Sequence, residues 1–357
     1  MELQVIESRN KSTLYVLLDR NMRLIKAPND YLLYLRVCGK AENTLLAYAR
    51  DLKVFFSFLE RNDLDFQMVD SRMVQGYVAF FRSPYEDGIF LHVDSVRTPA
   101  TINRMIASLY GFYCYHAMIH GTDNPLIKFL GSGGSAFKGM FAHTKQSSYV
   151  KHSLFKVKQS TYRVHLIDEG EACRLEEELP TPRDKLILRL LLGTGARIGE
   201  LLELEVRSVP VPSNSESVSL LAQVKSKGGT RDIFIRSDLL EELDSFILSE
   251  RAEASPDHDY VFFSQNAGNR GNRLKYRAIY EVFKRAGRKI GLDFRFHDTR
   301  HTFLTSLIES GMDISIVRII AGHKHVTTTQ NYVTLSNRFV KESLDVTRMN
   351  MTDYAFL

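Results

Sequence analysis

The sequence predicts two domains: an all-α helical bundle, followed by an α+β domain that is mainly helical with one small antiparallel sheet. Three observations carry that expectation. The chain has 357 residues, more than one ordinary core holds. Its first third shows apolar residues at helical spacing. Its second half is mostly helical in pattern, with one pair of short apolar runs meeting across Lys227-Gly228-Gly229-Thr230, as a hairpin does.

Taken in order, Pro28 opens a first helix through Leu32 and Leu35, and Gly39 closes it. In Thr44–Arg61, Leu45, Tyr48, Leu52, Phe55 and Leu59 recur at intervals of 3, 4, 3 and 4, one helical stripe that Asn43 or Thr44 can cap. Asp70 precedes a third run through Met73, Val74, Tyr77 and Phe80–Phe81. Thr98 and Pro99 start a fourth, with Ile102, Met105, Ile106, Leu109, Phe112 and Ile119 inward and Gly121 at its end; Ser83–Val96 is the loop before it. In the second domain Asp168 and Glu171 have capping-box spacing before a helix that runs to Leu179. Thr181-Pro182 starts another, through Leu186, Leu190 and Leu191. Ser217–Val224 and Asp232–Ile235 are the hairpin strands, and Tyr260–Phe263 is a further short strand. Helices follow near Lys275–Lys289, His297–Glu309 and Ile314–Ile320, with a last one after Ser336.

Composition excludes several classes. Hydrophobic residues at 44% and charged residues at 25% fit a globular protein, not a disordered or fibrous one. Cys38, Cys114 and Cys173 are too few and too scattered for a disulfide framework or a zinc site. No stretch approaches the roughly 18 uninterrupted apolar residues of a membrane span, and Met1-Glu2-Leu3-Gln4 lacks the basic start of a signal peptide. A cytoplasmic protein is expected. The net charge of +5 decides little, but its distribution does. Residues 1–120 carry 14 basic and 13 acidic side chains, whereas Asn124–Ile167 carries Lys128, Lys138, Lys145, Lys151, Lys156, Lys158 and Arg163 with no acid. A flexible linker accounts for Gly131-Ser132-Gly133-Gly134-Ser135, but 44 residues without a carboxylate favour contact with a polyanion. Arg270–Arg300, which includes Arg273 and Lys275, adds ten Lys/Arg against three acids.

Three local patterns need a joint explanation. Gly193-Thr194-Gly195-Ala196-Arg197-Ile198-Gly199-Glu200-Leu201 places an arginine just after a glycine-rich break; alone, it reads as a surface Arg paired with Glu200 or Glu203. His297-Asp298-Thr299-Arg300-His301 puts His297, Arg300 and His301 at helical neighbour spacing. Two such histidines can bind zinc, but the hydrolase pattern wants Glu where Asp298 stands, so metal is the weaker option. The third is Gly322-His323, with Tyr332 nine positions after the histidine.

Together these residues resemble the tyrosine recombinase (phage integrase) family. Thr194–Leu201 matches its Thr-Gly-x-Arg-x-x-Glu-Leu box, His297–His301 its His-x-x-Arg-His box, and Gly322-His323 with Tyr332 its third. Tyr31–Leu59 resembles its N-terminal core-binding domain, and Thr299 departs from the leucine the family often has. The resemblance implies a SAM-like core-binding domain at 1–123, a basic linker at 124–163 and a catalytic domain at 164–357 with a C-terminal helix. It implies Tyr332 as the nucleophile that forms a phosphotyrosine, with His297 as its base. Arg197, Arg300 and His323 would hold the non-bridging oxygens. The family's hairpin lysine matches Lys227, the general acid; Lys225 lies two residues away on the same strand face, and Lys227 is preferred because it abuts the Gly-Gly turn. Tyr354 is a rival nucleophile only if the third box is misread, and Glu200 and Asp298 are expected to be orienting residues. Electrostatic stabilisation of this kind needs no metal or ATP. The expected partner is double-stranded DNA, contacted by Lys151, Lys156, Lys158, Arg163, Arg273 and Lys275, with a tetramer at synapsis and nucleoid association. Element-encoded accessory proteins fit the same picture. Integration or transposition of a mobile element is the preferred errand. The alternatives are a silent DNA-binding regulator on the same scaffold, or a type IB topoisomerase.

Overall fold

The computed structural model describes residues 1–7, 13–82, 97–126, 155–158, 164–213, 215–226, 229–323 and 329. The chain divides into two compact units, 1–161 and 162–357, each with its own core.

The first unit contains the four expected helices, α1 (Lys26–Val37), α2 (Glu42–Arg61), α3 (Ser71–Arg82) and α4 (Pro99–His120). Leu52 and Phe55 of α2 and Leu109 and Phe112 of α4 meet at the centre, where all four are fully buried. Several terminal signals act as expected. Thr98 accepts from the Thr101 N–H, Gly121 caps α4 at φ 68°, and the Asp70 carboxylate accepts from the Met73 N–H. The start of α2 differs, because Ala41 is its N-cap and makes no side-chain cap. Ile119 also differs. It is exposed on the last turn of α4, where the helix runs past the core it packs on.

Two features of this unit were not expected. An antiparallel hairpin, β1 (Glu2–Glu7) and β2 (Thr13–Leu18), precedes the helices. It is anchored by Asn29, whose side chain donates to the Leu17 carbonyl and accepts from the Leu17 N–H, both at 2.8 Å. Val5 and Ile6 stay exposed, so the strand lacks the inside-outside alternation that would mark it. Within the acid-free stretch, Asn103 on α4 holds Val157 by both backbone groups, at 2.9 and 2.8 Å, and Val157 is buried in this unit's core. Lys156 and Lys158 flank it and are exposed. Lys151 and Arg163 lie outside the described residues.

The second unit begins with α5 (Glu169–Glu178), closed by the expected Asp168–Glu171 capping box, and α6 (Pro182–Thr194), capped by Thr181. Then come the short α7 (Ile198–Leu202) and the antiparallel pair β3 (Val218–Ser226) and β4 (Gly229–Arg236). The helix α8 (Ser237–Phe246) was not anticipated. It runs on through one wide π turn, Ile247–Arg251, into α9 (Ala252–Ala254). Tyr260–Phe263 is not a strand. It makes only single bridges, Tyr260 to Glu205 and Phe263 to Arg273, and its apolar run is explained by burial of Val261, Phe262 and Phe263. Among the described residues three more helices follow: α10 (Tyr276–Lys289), α11 (Phe296–Glu309) and α12 (Ile314–Ala321). The expected helix after Ser336 lies outside the described residues.

Candidate active site

The site is built from two helix ends and one buried guanidinium. α6 stops at Gly195, left-handed at φ 61°, where an added Cβ would come within 2.3 Å of the Phe303 ring. The sharp exit puts Arg197 not inside a helix but at the N-cap of α7, with its side chain partly exposed. α12 stops in the same way at Gly322, φ 63°, and delivers His323. Arg300 on α11 is 1% exposed. It donates to the Gly195 carbonyl at 2.7 Å and to the Ala321 carbonyl, and meets His323 Nε2 at 3.1 Å. Carbonyls at helix C-termini lack intrahelical donors and carry partial negative charge, so they can solvate a buried cation. Arg300 thus ties the end of α6 to the end of α12.

The guanidinium is always a donor, so His323 Nε2 accepts from Arg300 and its Nδ1–H donates to Thr329 Oγ1, 3.0 Å away. That is a neutral ring. Burial, then the charges of Arg300, Arg197 and Arg231 and the neighbouring His297, bring His323 down to about 4. Burial and the same two boxed arginines also lower His297, which keeps one side open to solvent. His301, whose ring lies 5.1 Å from that of His297, is brought down to about 4 by burial, His297 and Arg300. Positive charge is concentrated here, and an anion is the ligand that relieves it.

A pH effect follows. Between about 6.5, the unfolded imidazole value, and 4, the unfolded chain binds protons that folded His301 and His323 refuse. Stability conferred by the neutral rings is therefore present above pH 6.5 and lost as pH falls toward 4. Thermal melts at both ends of this window should show the drop, and a His301→Phe variant should show less of it.

Glu200 is the second hub, 2% exposed. Its Oε1 accepts from the Arg197 guanidinium (2.8 Å), Ser226 Oγ (2.8 Å) and Arg231 Nε (3.0 Å). Its Oε2 accepts from the Arg197 N–H (2.8 Å) and Arg231 Nη2 (2.7 Å). Burial works to raise the Glu200 pKa, but the hydrogen bonds and charge of Arg231, with those from Arg197 and Ser226, more than offset it and bring it down to about 2. The expected orienting role for Glu200 fits this geometry. Arg231 was missed. Its signal was parity: on β4 it shares a face with buried Ile233 and Ile235, where an arginine needs a partner.

The remaining expected residues are more dispersed. Lys225 Nζ is held by Glu205 at 2.6 Å, while Lys227, between the strands, and Tyr332 lie outside the described residues. Arg273 pairs with Glu203 and lies over the Tyr260 ring, 4.2 Å from its centroid. Lys275 is exposed at the start of α10. Much of the Arg270–Arg300 surplus is spent internally, in Arg270–Glu253, Arg273–Glu203, Lys284–Asp293 and Lys289–Glu178 pairs. Among the described residues, no three His, Cys, Asp or Glu side chains converge as metal ligands would.

Comparison with known proteins agrees with this architecture. Residues 167–338 match the phage integrase family, and residues 29–117 match the phage integrase N-terminal SAM-like domain. Transposase A from transposon Tn554 of Staphylococcus aureus is 29% identical over 354 residues, 97% of each chain. The tyrosine recombinase XerA of Pyrococcus horikoshii is 32% identical over 183 residues, 51% of this chain and 61% of its own. Two solved structures share the fold, both with TM-score 0.61. They are XerH site-specific recombinase bound to palindromic difH substrate (17% identity, 93% of this chain, 92% of that one) and Tn1549 transposon integrase in complex with transposon right end DNA (18% identity, 93% and 100%). With both domains present in the family's order over a shared fold, this chain is a member of the phage integrase family of tyrosine recombinases.

Proposed function

We propose that the protein is a site-specific DNA recombinase of the integrase or transposase type, cutting and rejoining strands through a 3′-phosphotyrosyl link at Tyr332. The observation that carries this reading is the convergence of Arg197, Arg300, His297 and His323 on one site, where burial and the arginines' charge hold both imidazoles below their usual pKa. A scissile phosphate gathers charge on its non-bridging oxygens as the phenolate attacks, and two preorganised guanidiniums stabilise that charge without a metal. An arriving phosphate also competes for the Arg300 N–H now given to His323, and its negative charge favours the protonated, donating imidazole. His297, held low in pKa and open to solvent, suits a base for a phenol whose ordinary pKa is about 10. Lys227 supplies the proton to the 5′ leaving oxygen. Lys225 is less suited, since Glu205 already holds it.

Closeness in length and sequence to a transposase supports a mobile-element errand. Double-stranded DNA is the substrate, and two duplexes with two active sites each call for a tetramer at synapsis. The test is a suicide DNA substrate in chelator without nucleotide. Wild type should form a covalent adduct and Tyr332→Phe none. Lys227→Ala should slow cleavage by about 10²–10⁴-fold; unimpaired cleavage would move the acid to Lys225. A wild type that binds its site and never forms an adduct would favour the regulator reading.

The basic stretch gives a separate expectation. Replacing Lys151, Lys156 and Lys158 by Gln should flatten the slope of log K against log[salt] by about 0.9 for each phosphate left without its lysine. An unchanged slope would make the stretch a linker only.

A further inference from the structure

Arg231 has no part in the chemistry above, yet its side chain reaches the α7 carboxylate that holds Arg197 and the end of α12 that delivers His323. We infer that Arg231 is a positioning residue for strand cleavage, setting the hairpin strand at Ser226 and the Gly322-His323 turn against Arg197 through Glu200. The inference rests on the recombinase reading of the site.

The sheet brings it there. A bulge between Leu221 and Val224 shifts the pairing so that Val224 faces Arg231 across the ladder, and Asp232 secures it by accepting from the N–H of Gln223, which is left-handed at φ 51°. Three commitments then use up the guanidinium and its stem. Nε and Nη2 clasp Glu200 at 3.0 and 2.7 Å. Nη1 donates 2.9 Å to the Ile320 carbonyl, at the end of α12. The stem lies under Gly322, where an added Cβ would approach Arg231 Cδ to 2.8 Å. The same carboxylate holds Arg197 and accepts from Ser226, the residue before Lys227.

One planar fork therefore links β4, α7 and the α12 terminus. A lysine, with a single point charge, cannot span the carboxylate and the carbonyl in that geometry. Without Arg231, Glu200 keeps Arg197 and Ser226 but loses its opposite support. The hairpin can then drift relative to the two arginine boxes. Displacement of about 1 Å at such a site costs about a hundredfold in rate.

The experiment uses full-length wild type, Arg231→Lys and Arg231→Met on two suicide substrates, one with the natural bridging oxygen and one with sulfur at the 5′ leaving position. A thiolate leaves without a general acid, so the second substrate removes the need for an aligned hairpin proton donor. DNA binding and melting temperature are measured beside cleavage. Expected is a loss of about a hundredfold by both variants on the oxygen substrate, recovery of most of it on sulfur, and site binding close to wild type. Equal losses on both substrates would make Arg231 merely structural, and unimpaired cleavage on oxygen would remove any role; either overturns the inference. A wild type that forms no adduct on either substrate overturns the recombinase reading itself, and this inference with it.

Discussion

Arg300→Lys should abolish measurable recombination, cutting single-turnover cleavage by at least about 10²–10³-fold, while leaving DNA binding within a few-fold. Arg300 serves three acceptors from a side chain that is 1% exposed: the carbonyls of Gly195 and Ala321 and the ring of His323. An ammonium group cannot present a planar fork to both carbonyls and still face the phosphate. One terminal carbonyl is then left buried without a donor, at about 1–3 kcal/mol, and the α6 and α12 ends lose the tie that sets Arg197 and His323. Cleavage with binding measured separately distinguishes this from a weakened complex. Loss of binding in step with cleavage would mean that Arg300 acts mainly in DNA affinity.

The largest stability effect is expected at Glu200. Glu200→Gln leaves Arg231, only 12% exposed, without its anion, and replaces one of the two acceptor oxygens by a donor facing guanidinium N–H groups. Breaking a buried pair from one side costs about 3–5 kcal/mol. For a unit of this size each kcal/mol moves Tm by about 2–4 °C, so a fall of about 6–20 °C is expected. The sign of the pH dependence is also set. A carboxylate lowered to about 2 in the folded state stabilises fully above its unfolded value near 4.3, and that contribution disappears as pH falls through 2. The Gln variant should lack this acid limb. A Tm within a degree or two of wild type would show that the hub tolerates a neutral acceptor.

Where the chain could be read, the reason was local. The Asp168–Glu171 box, Thr98, Thr181 and Gly121 each satisfy a helix end with residues a few positions away, and spacing alone reveals them. Two of the motif boxes were legible for the same reason: Thr194–Leu201 is a short run across one helix break, and His297–His301 lies within the first turns of α11. What escaped reading depends on partners far along the chain. The β1–β2 hairpin is held by Asn29, and Val157 by Asn103, 54 residues away. Arg231 acquires its meaning from Glu200, 31 residues earlier, and Ile320, 89 later. α8 was a different omission, since Leu239, Leu240, Leu243 and Phe246 do carry helical spacing and are buried. Tyr260–Phe263 erred the other way: an apolar run of four satisfies a core without a strand partner along its length.

The charge pattern changed in meaning between sequence and structure. Arg270–Arg300 looked like a DNA-facing surplus, yet several of its cations are paired within the unit or, like Arg300, buried in the site. Lys275, Arg277, Arg285 and Arg288 are exposed and form no ion pair among the described residues. Exposed ion pairs contribute only about 0–1 kcal/mol each, so Arg273 and Lys289 are held only weakly by Glu203 and Glu178.

The most direct measurement is the identity of the residue that becomes attached to DNA. A suicide substrate is reacted with wild type in chelator, the adduct is digested to peptides, and the modified residue is located by mass spectrometry. The expected product is a 3′-phosphoryl nucleotide on Tyr332, carried by the peptide that follows His323. Attachment at Tyr354, or at any side chain other than Tyr332, would contradict it.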